Sequence, residues 1–348
     1  MNITEKSVPG YERVLFGEEP EIGYRGIIAI HSTVRGPAAG GTRFWHYRTQ
    51  EEALEDALRL ARGMTYKNAL AELPLGGGKS VIFDQGDDKT QDREKIFRAH
   101  GRFVHSLKGR YTTGEDVGTS PADMEYVRQE TTYVAGLHGR SGDPSPRTAR
   151  GIFRAMQASA KHRWGSEALA GKTVSIQGCG HVGYYLAEEV HKAGARLVVT
   201  DVDGERVERV VSTFGAVAVT PETIYSVQAD IFAPCALGGI LNDQTIPQIK
   251  AEIVCGGANN QLLEPRHGEL LEKRGILYAP DYAVNAGGVI GGGCIEILGW
   301  EPAATLKKID AIYDTILGIL LVAERDGVPS YQAADRLAEE RIVALSTS

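Results

Sequence analysis

Three groups of residues in this chain have the types and spacing to do chemistry. The first is Gly178-Cys179-Gly180-His181-Val182-Gly183, which follows a β-branched apolar run and opens a helical pattern, with Asp201 closing the next such run 18 positions after the third glycine. In that setting the glycines permit a tight turn and close approach of a pyrophosphate, whose charge a helix N-terminus favours. Asp201 would accept hydrogen bonds from ribose hydroxyls and repel a 2′-phosphate, which points to NAD rather than NADP. The bland alternative is a glycine-rich turn that binds nothing; the strand, helix and acid at these spacings weigh against it.

The second group is Lys67 and Lys79, each close to glycines. Both could be ordinary surface charges. If they line one cleft, each disfavours the other's charge and burial adds desolvation, so that one becomes a base near neutral pH while the other holds a substrate carboxylate. Gly78-Lys79-Ser80 is not a P-loop, because the motif's first glycine would fall on Leu73 and a strand follows where a helix is needed. The third group is Glu115-Asp116, inside the small-residue segment Tyr111 to Thr119. Such acidic pairs are commonly solvated or cap a following helix, here one beginning near Ser120.

Other chemistry is disfavoured. The nine histidines contain no H-E-x-x-H pattern, and His100 with His105 reads as a solvated or packing pair on a helix, so no metal is implied. Cys179, Cys235, Cys255 and Cys294 form no C-x-x-C pair and read as reduced packing residues.

The elements that must position these residues follow from periodicity. Thr49 and Glu52 make a capping box, and Leu54, Leu58 and Ala61 recur at helical spacing, so a helix runs from about 50 to the mid-sixties with Lys67 near its end. After Leu73-Pro74-Leu75 and three glycines, Ser80 to Phe83 reads as a strand, which puts Lys79 where a loop meets it. A helix covers Arg93 to Leu107. Near Ser141 to Pro146 the composition turns to linker residues, with Ser145 as N-cap and Pro146 at the first helical position of a new helix. From 172 onward six apolar β runs alternate with helical stretches: Thr173 to Gln177, Arg196 to Thr200, Ala216 to Val219, Asp230 to Ala233, Glu252 to Cys255 and Gly275 to Tyr278. That alternation implies a doubly wound parallel sheet, whose ligands bind beyond the strands' carboxyl ends. Gly178, Asp201, Cys235, Gly256 to Asn260 and Asp281 to Gly288 stand there. The segment from about Pro302 reads as two helices.

Composition sets the outer limits. With 348 residues two domains are expected, and 38 basic against 45 acidic residues leave a charge of −7 with no basic patch, so no nucleic acid partner is implied. The longest apolar run, Thr315 to Ala323, falls far short of the ~20 residues of a membrane span. The opening residues carry charge and proline where a secretion signal needs an apolar run, so the chain is expected to stay in the cytoplasm. Glycine makes up 42 residues, about 12% against a usual ~7%, clustered in short runs that suggest backbone close to a ligand.

Read together, Gly40-Gly41-Thr42-Arg43, Arg62 to Asn68, Leu73-x-x-Gly76-Gly77-Gly78-Lys79-Ser80, Gly114 to Thr119, the nucleotide fingerprint and Asn285-Ala286-Gly287-Gly288 resemble the glutamate, leucine, phenylalanine and valine dehydrogenase family over nearly the whole chain. The resemblance implies an α/β fold with an N-terminal α/β substrate and oligomerisation domain (1–143) and a C-terminal doubly wound Rossmann NAD-binding domain (144–330). A last helix (331–348) would return to the first domain, with a cleft between the domains. It implies a homo-oligomer that oxidatively deaminates a hydrophobic L-amino acid to its 2-oxo acid and ammonia. Lys79 would activate water for attack on the imino acid, and Asp116 would pass protons to and from the substrate nitrogen. Lys67 would pair with the substrate carboxylate, helped by Asn285 and the Gly41 backbone, while Thr148 and Asn259 would contact the nicotinamide end of the cofactor. The side-chain pocket would map to Ala39, Gly114, Val289 and Gly292. No cation stands at these positions, which disfavours glutamate. The small residues leave room for an aromatic ring, so the reading leans to phenylalanine, with leucine, valine or tryptophan as alternatives; the run Gly291-Gly292-Gly293 departs from the bulkier residues expected in the pocket wall.

Two rival classes remain. A non-catalytic NAD-binding sensor would keep the fold without the chemistry, and Lys79 with Asp116 argues against it. A hydroxy acid dehydrogenase would need a proton acceptor for an alcohol, commonly a histidine beside a carboxylate, and no histidine occupies the motif positions.

Overall fold

The computed structural model describes residues 1–84 and 92–346. The chain forms two compact units, one built from Met1–Gly142 with Gly292–Pro302 and the turns from Ala338, the other from Asp143–Gly291 and Ala303–Leu337.

The first unit is organised around a mixed sheet: β1 (Asn2–Glu5), β2 (Arg13–Glu19), β3 (Tyr24–Ser32), β4 (Ala38–Ala39), β5 (Thr42–His46), β6 (Gly76–Asp84) and β7 (Tyr111–Thr112), in the order β1-β2-β3-β6-β4-β7 with β5 also on β6. Strand β6 is the hub, antiparallel to β3 along one side and parallel to β4 and β5 along the other. Side chains alternate across the sheet, so Val81 and Phe83 face helix α1 (Gln50–Leu70), while Ile82 joins the core beneath helices α2 (Arg93–His105) and α3 (Pro121–Arg128).

Helix α1 starts at Thr49, whose side chain accepts from the Glu52 amide, and buries Ala53, Ala57, Ala61 and Thr65 at four-residue spacing. Leu54 and Leu58, which carry the periodicity in the sequence, flank this stripe half-buried. Alanines let the helix lie close on the sheet, closest where a Cβ added at Gly77 would stand 2.1 Å from the Thr65 amide nitrogen. This explains a difference from the sequence reading. The three glycines are not a loop but the first residues of β6, and Lys79 lies inside the strand. They are glycines because Ser32, Thr65 and Tyr111 crowd positions 76, 77 and 78 in turn.

The second unit holds a parallel sheet of β8 (Thr173–Gln177), β9 (Arg196–Thr200), β10 (Val217–Ala218), β11 (Ile231–Pro234), β12 (Ile253–Val254) and β13 (Leu277–Tyr278) in the order β10-β9-β8-β11-β12-β13. Numbered from its own first strand this is 3-2-1-4-5-6, the doubly wound nucleotide-binding order, and each expected β run supplies a strand. Its helices are α4 (Ser145–Trp164), α5 (His181–Lys192), α6 (Gly204–Phe214), α7 (Arg266–Lys273), α8 (Asp281–Val284) and α9 (Gly287–Gly292). Helix α4 is capped one residue earlier than expected, at Pro144, because the Asp143 carboxylate rather than Ser145 takes up a first-turn amide, that of Ser145 itself at 2.8 Å. The C-terminal segment forms three helices, not two: α10 (Pro302–Asp310), α11 (Ile312–Asp326) and α12 (Ser330–Ser346). The extra break falls at Ala311, in right-handed backbone with neither glycine nor proline to signal it. No helix among the described residues is long and apolar enough to cross a membrane.

The contact at Gly77 yields a stability test. Gly77→Ala should force α1 off the sheet at a cost of about 3 kcal/mol or more, and calorimetry should show a fall in Tm of roughly 5 °C or more. An unchanged Tm would mean that the helix and strand are not packed as closely as described.

Candidate active site and nucleotide-binding turn

In the first unit, β6 fixes Lys79. Its parity with Val81 and Phe83 sends the side chain to the α1 face, where only 6% of it stays exposed. Arg43 on β5 is in register with Val81 and so stands on the same face. The segment after β7 runs beside β5, with Thr42 donating to the Gly114 carbonyl (2.8 Å) and Phe44 to that of Val117 (3.0 Å), which brings Asp116 alongside. Gly41 makes room for it: a Cβ there would meet the Glu115 carbonyl at 2.4 Å and the Asp116 Cβ at 3.0 Å. Thr119 locks the turn by accepting from the Asp116 amide at 2.9 Å and donating to the Asp116 carbonyl at 2.8 Å.

The result is a charge relay of fixed geometry. Lys79 Nζ lies 3.0 Å from Asp116 Oδ2, and Arg43 Nε lies 3.1 Å from the same oxygen. The other edge of the guanidinium binds Asp56 on α1 at 2.8 Å, and Asp56 also accepts from Tyr47 (2.6 Å) and Arg59 (2.8 Å). Burial pushes the Lys79 ammonium below the usual lysine range, although Asp116 opposes the fall. Burial alone would raise the Asp116 carboxyl; Lys79 and Arg43 outweigh it and hold the group below the usual aspartate range. The sequence reading had Lys67 and Lys79 each disfavour the other's charge if they line one cleft; the structure adds Arg43 as a cation that opposes the charge on Lys79, and Lys67 sits half-buried near the end of α1.

On the opposite face of the same strands lies a neutral network that the sequence reading missed. Buried His100 accepts or donates at both nitrogens, Nδ1 with Tyr24 (2.9 Å) and Nε2 with Thr42 (2.9 Å) and Ser80 (3.1 Å). The Tyr111 hydroxyl donates to the Gly40 carbonyl and lies within hydrogen-bond distance of the Ser80 hydroxyl. Thr42 and Ser80 are the chain neighbours of Arg43 and Lys79, so this network pins from behind the strands that carry the charges. Among the expected pocket residues, Ala39 is buried on β4 between Gly77 and Thr112, and Gly114 faces Ala135. A Cβ at Gly292 would meet nothing within 4 Å.

In the second unit the fingerprint turn joins β8 to α5. Gly178 has φ +105°, and a Cβ there would strike the peptide between Cys235 and Ala236; a Cβ on Gly183 would stand 1.9 Å from the Gly178 carbonyl. Gly180, the N-cap of α5, is different: its φ is an ordinary −65° and a Cβ would meet nothing within 4 Å. The fold therefore requires the first and third glycines, while the middle one leaves a cradle at a helix N-terminus, the shape and polarity that fit a dinucleotide pyrophosphate. Asp201 braces the turn, accepting from the Cys179 amide at 2.6 Å and the Asp203 amide at 2.9 Å. His181 is exposed with Nδ1 3.9 Å from Asp143, and half-buried Val182 lies against Gly257. Burial pushes the Cys235 thiol up to about 12, so it is present as a neutral group.

Asn285, after α8, donates from Nδ2 to the Gly257 carbonyl (3.2 Å) and to Asn259 Oδ1 (2.7 Å), so two expected binding residues touch each other. Gly287 and Gly288 are packing glycines, since Cβ atoms there would meet the Arg147 carbonyl at 2.2 Å and Thr148 Oγ1 at 2.6 Å. Val289 follows them, half-buried on α9.

Residues 16–133 match the dimerisation domain of the Glu/Leu/Phe/Val dehydrogenases, and residues 139–208 and 201–298 match the Glutamate/Leucine/Phenylalanine/Valine dehydrogenase domain. The chain belongs to this dehydrogenase family. It is 57% identical over 335 residues to the leucine dehydrogenase of Geobacillus stearothermophilus, covering 95% of this chain and 90% of that one. It is 45% identical to the phenylalanine dehydrogenase of Caldalkalibacillus thermarum, covering 98% and 93%. The crystal structure of L-tryptophan dehydrogenase from Nostoc punctiforme superposes with a TM-score of 0.88 at 47% identity over 97% of each chain. Like these members of the Glu/Leu/Phe/Val dehydrogenases, the protein is an oxidoreductase, an amino acid dehydrogenase, and both the sensor and the hydroxy acid alternatives fall away.

The buried network gives a pH test. Burial pushes the His100 imidazole down to about 3, so the folded protein keeps it neutral where the unfolded chain, with a pKa near 6.5, takes up a proton. Its folded pKa being the lower, the folded state loses stability as pH falls below about 6.5, by up to about 1.4 kcal/mol per pH unit until about pH 3. The ring proton resonances of His100 should not move between pH 5 and 8; a titration in that range would contradict its burial.

Proposed function

We propose that the protein catalyses NAD-dependent oxidative deamination of L-leucine to its 2-oxo acid and ammonia, and the reverse reductive amination. The observation that carries this reading is Lys79 Nζ, buried on the strand carrying the family's glycine-lysine signature, at 3.0 Å from Asp116 Oδ2. A lysine held below its usual pKa by burial can shed its proton and act as a base toward water attacking the imino acid, and Asp116, within hydrogen-bond reach of Lys79, would pass protons to and from the substrate nitrogen. Lys67 would pair with the substrate carboxylate, with the Gly41 backbone and Asn285 assisting.

The cradle at Gly180, with Gly178, Gly183, His181, Val182 and Cys235 around the turn and Asp201 beside it, would hold NAD, while Thr148 and Asn259 would meet its nicotinamide end. When bound, the nicotinamide supplies the hydride acceptor for Cα. Asp201 favours NAD because its carboxylate would repel a 2′-phosphate. The match to a dimerisation domain supports a homo-oligomer.

Leucine is preferred because leucine dehydrogenases at 57%, 54% and 52% identity stand above the phenylalanine enzyme at 45%. A second reading, phenylalanine, is favoured by the small residues at three of the four positions expected to form the side-chain pocket, Ala39, Gly114 and Gly292, with Val289 the fourth. Discrimination of this kind rests on ~1 to 3 kcal/mol per methylene of pocket volume.

Initial rates of NADH formation at alkaline pH with leucine, valine, phenylalanine and tryptophan decide between them. Leucine should show the highest kcat/KM, and a tenfold preference for phenylalanine would replace the first reading with the second. In the same assay NAD should exceed NADP at least tenfold in kcat/KM; equal use would remove Asp201 from the specificity argument. Lys79→Ala should lower turnover by a factor of 1,000 or more while NAD still binds, as read by fluorescence titration. Turnover within tenfold of the parent would rule out Lys79 as the base.

A further inference from the structure

We propose that Arg43 is a positioning residue for this reaction: clamped between Asp56 and Asp116, it fixes the Asp116 carboxylate against Lys79 and sets the pH at which the pair becomes competent. The inference deepens the reading of Lys79 as base and rests on it.

The geometry is that of a bracket. Arg43 reaches Asp116 Oδ2 through Nε at 3.1 Å and Asp56 Oδ2 through its terminal nitrogen at 2.8 Å. Only a planar, multi-donor cation can satisfy carboxylates on two of its edges at once; a lysine is a single point of charge. Asp56 is itself held by Tyr47 at 2.6 Å and Arg59 at 2.8 Å, so the bracket is anchored on α1 and on the residue following β5. Lys79 therefore shares its partner oxygen with a guanidinium that cannot swing away.

The charges around the pair give the bracket a definite sign. Arg43 favours ionised Asp116 and opposes protonated Lys79, so its presence lets both groups lose their protons at lower pH. Asp56 acts on Lys79 in the opposite direction. The other titratable groups on the surrounding elements are Tyr47 and Arg59 on Asp56, Lys67 near the end of α1, Glu115 next to Asp116, and Tyr111 on β7, whose hydroxyl is committed to the Gly40 carbonyl and Ser80.

The test is the pH profile of kcat/KM for L-leucine with NAD, from pH 6 to 11, in the parent and in Arg43→Gln, Arg43→Lys and Asp56→Asn. Arg43→Gln should move the acid limb to higher pH by about half a unit or more, a further threefold loss at a pH on the limb beyond any change in plateau. Arg43→Lys should keep the limb near the parent's with a lower plateau, because charge is retained and the bracket is not. Asp56→Asn should move the limb the other way. General damage to the fold would lower the plateau without shifts of opposite sign. An Arg43→Gln limb that superimposes on the parent's overturns the inference; if that variant does not fold, an unmoved Asp56→Asn limb does so. Lys79→Ala in the same series separates the two levels: a Lys79→Ala protein that still turns over removes the base assignment, whereas an inactive one with unmoved limbs elsewhere removes only the role of Arg43.

Discussion

An ammonium group taken out of water costs several kcal/mol unless a counter-charge meets it in good geometry. Lys79, with 6% of its side chain exposed, imposes that demand on the first unit, and the surrounding backbone is arranged to meet it. Asp116 can come within 3.0 Å only because Gly41 offers no Cβ to the segment carrying it. Gly40 in turn lets β6 pass, since a Cβ there would stand 1.9 Å from the Gly78 carbonyl. The glycines at 76 to 78 admit α1 and β7 to the same strand. Burial and counter-charge pull the lysine's protonation in opposite directions, with burial the stronger.

Much of this was legible in the sequence, for identifiable reasons. The six strands of the second unit announce themselves because parallel strands buried on both faces are short β-branched runs between helices. The fingerprint turn was readable because its glycines sit at fixed offsets from a strand, a helix and an acid. Lys79 and Asp116 stood out through their motifs. Their contact did not, since they stand 37 positions apart and no local pattern encodes which charged side chains meet. The same limit hid Arg43: its register with Val81 is a property of strand pairing, not of spacing along the chain. The glycine run misled in the other direction. Three consecutive glycines read as a loop when the constraints that select them, Ser32, Thr65 and Tyr111 closing on the strand, come from residues distant in the chain.

The neutral network around His100 was invisible for a different reason. Tyr24, Thr42, Ser80, His100 and Tyr111 are spread over five elements, and although Thr42 and Ser80 fall inside motifs, nothing in their spacing joins them to His100. Its worth lies in mutual satisfaction: in a low-dielectric interior each partner saves the next from an unmade hydrogen bond. It holds β5, β6 and β7 in register on the face away from the charges, so positional precision on one side of the sheet is maintained by polar groups on the other.

The middle glycine of the fingerprint turn carries a different kind of information from its neighbours. Replacing Gly178 or Gly183 collides with backbone, so packing alone favours keeping small residues there, whatever the chain binds. Gly180 has an ordinary φ and open surroundings, so folding exerts no purifying pressure on it. A lineage that abandoned dinucleotide chemistry would be free to drift there first, while the flanking glycines persisted as a fossil of the fold. The residue that the architecture least needs is thus the one that records whether the ancestral ligand is still in use.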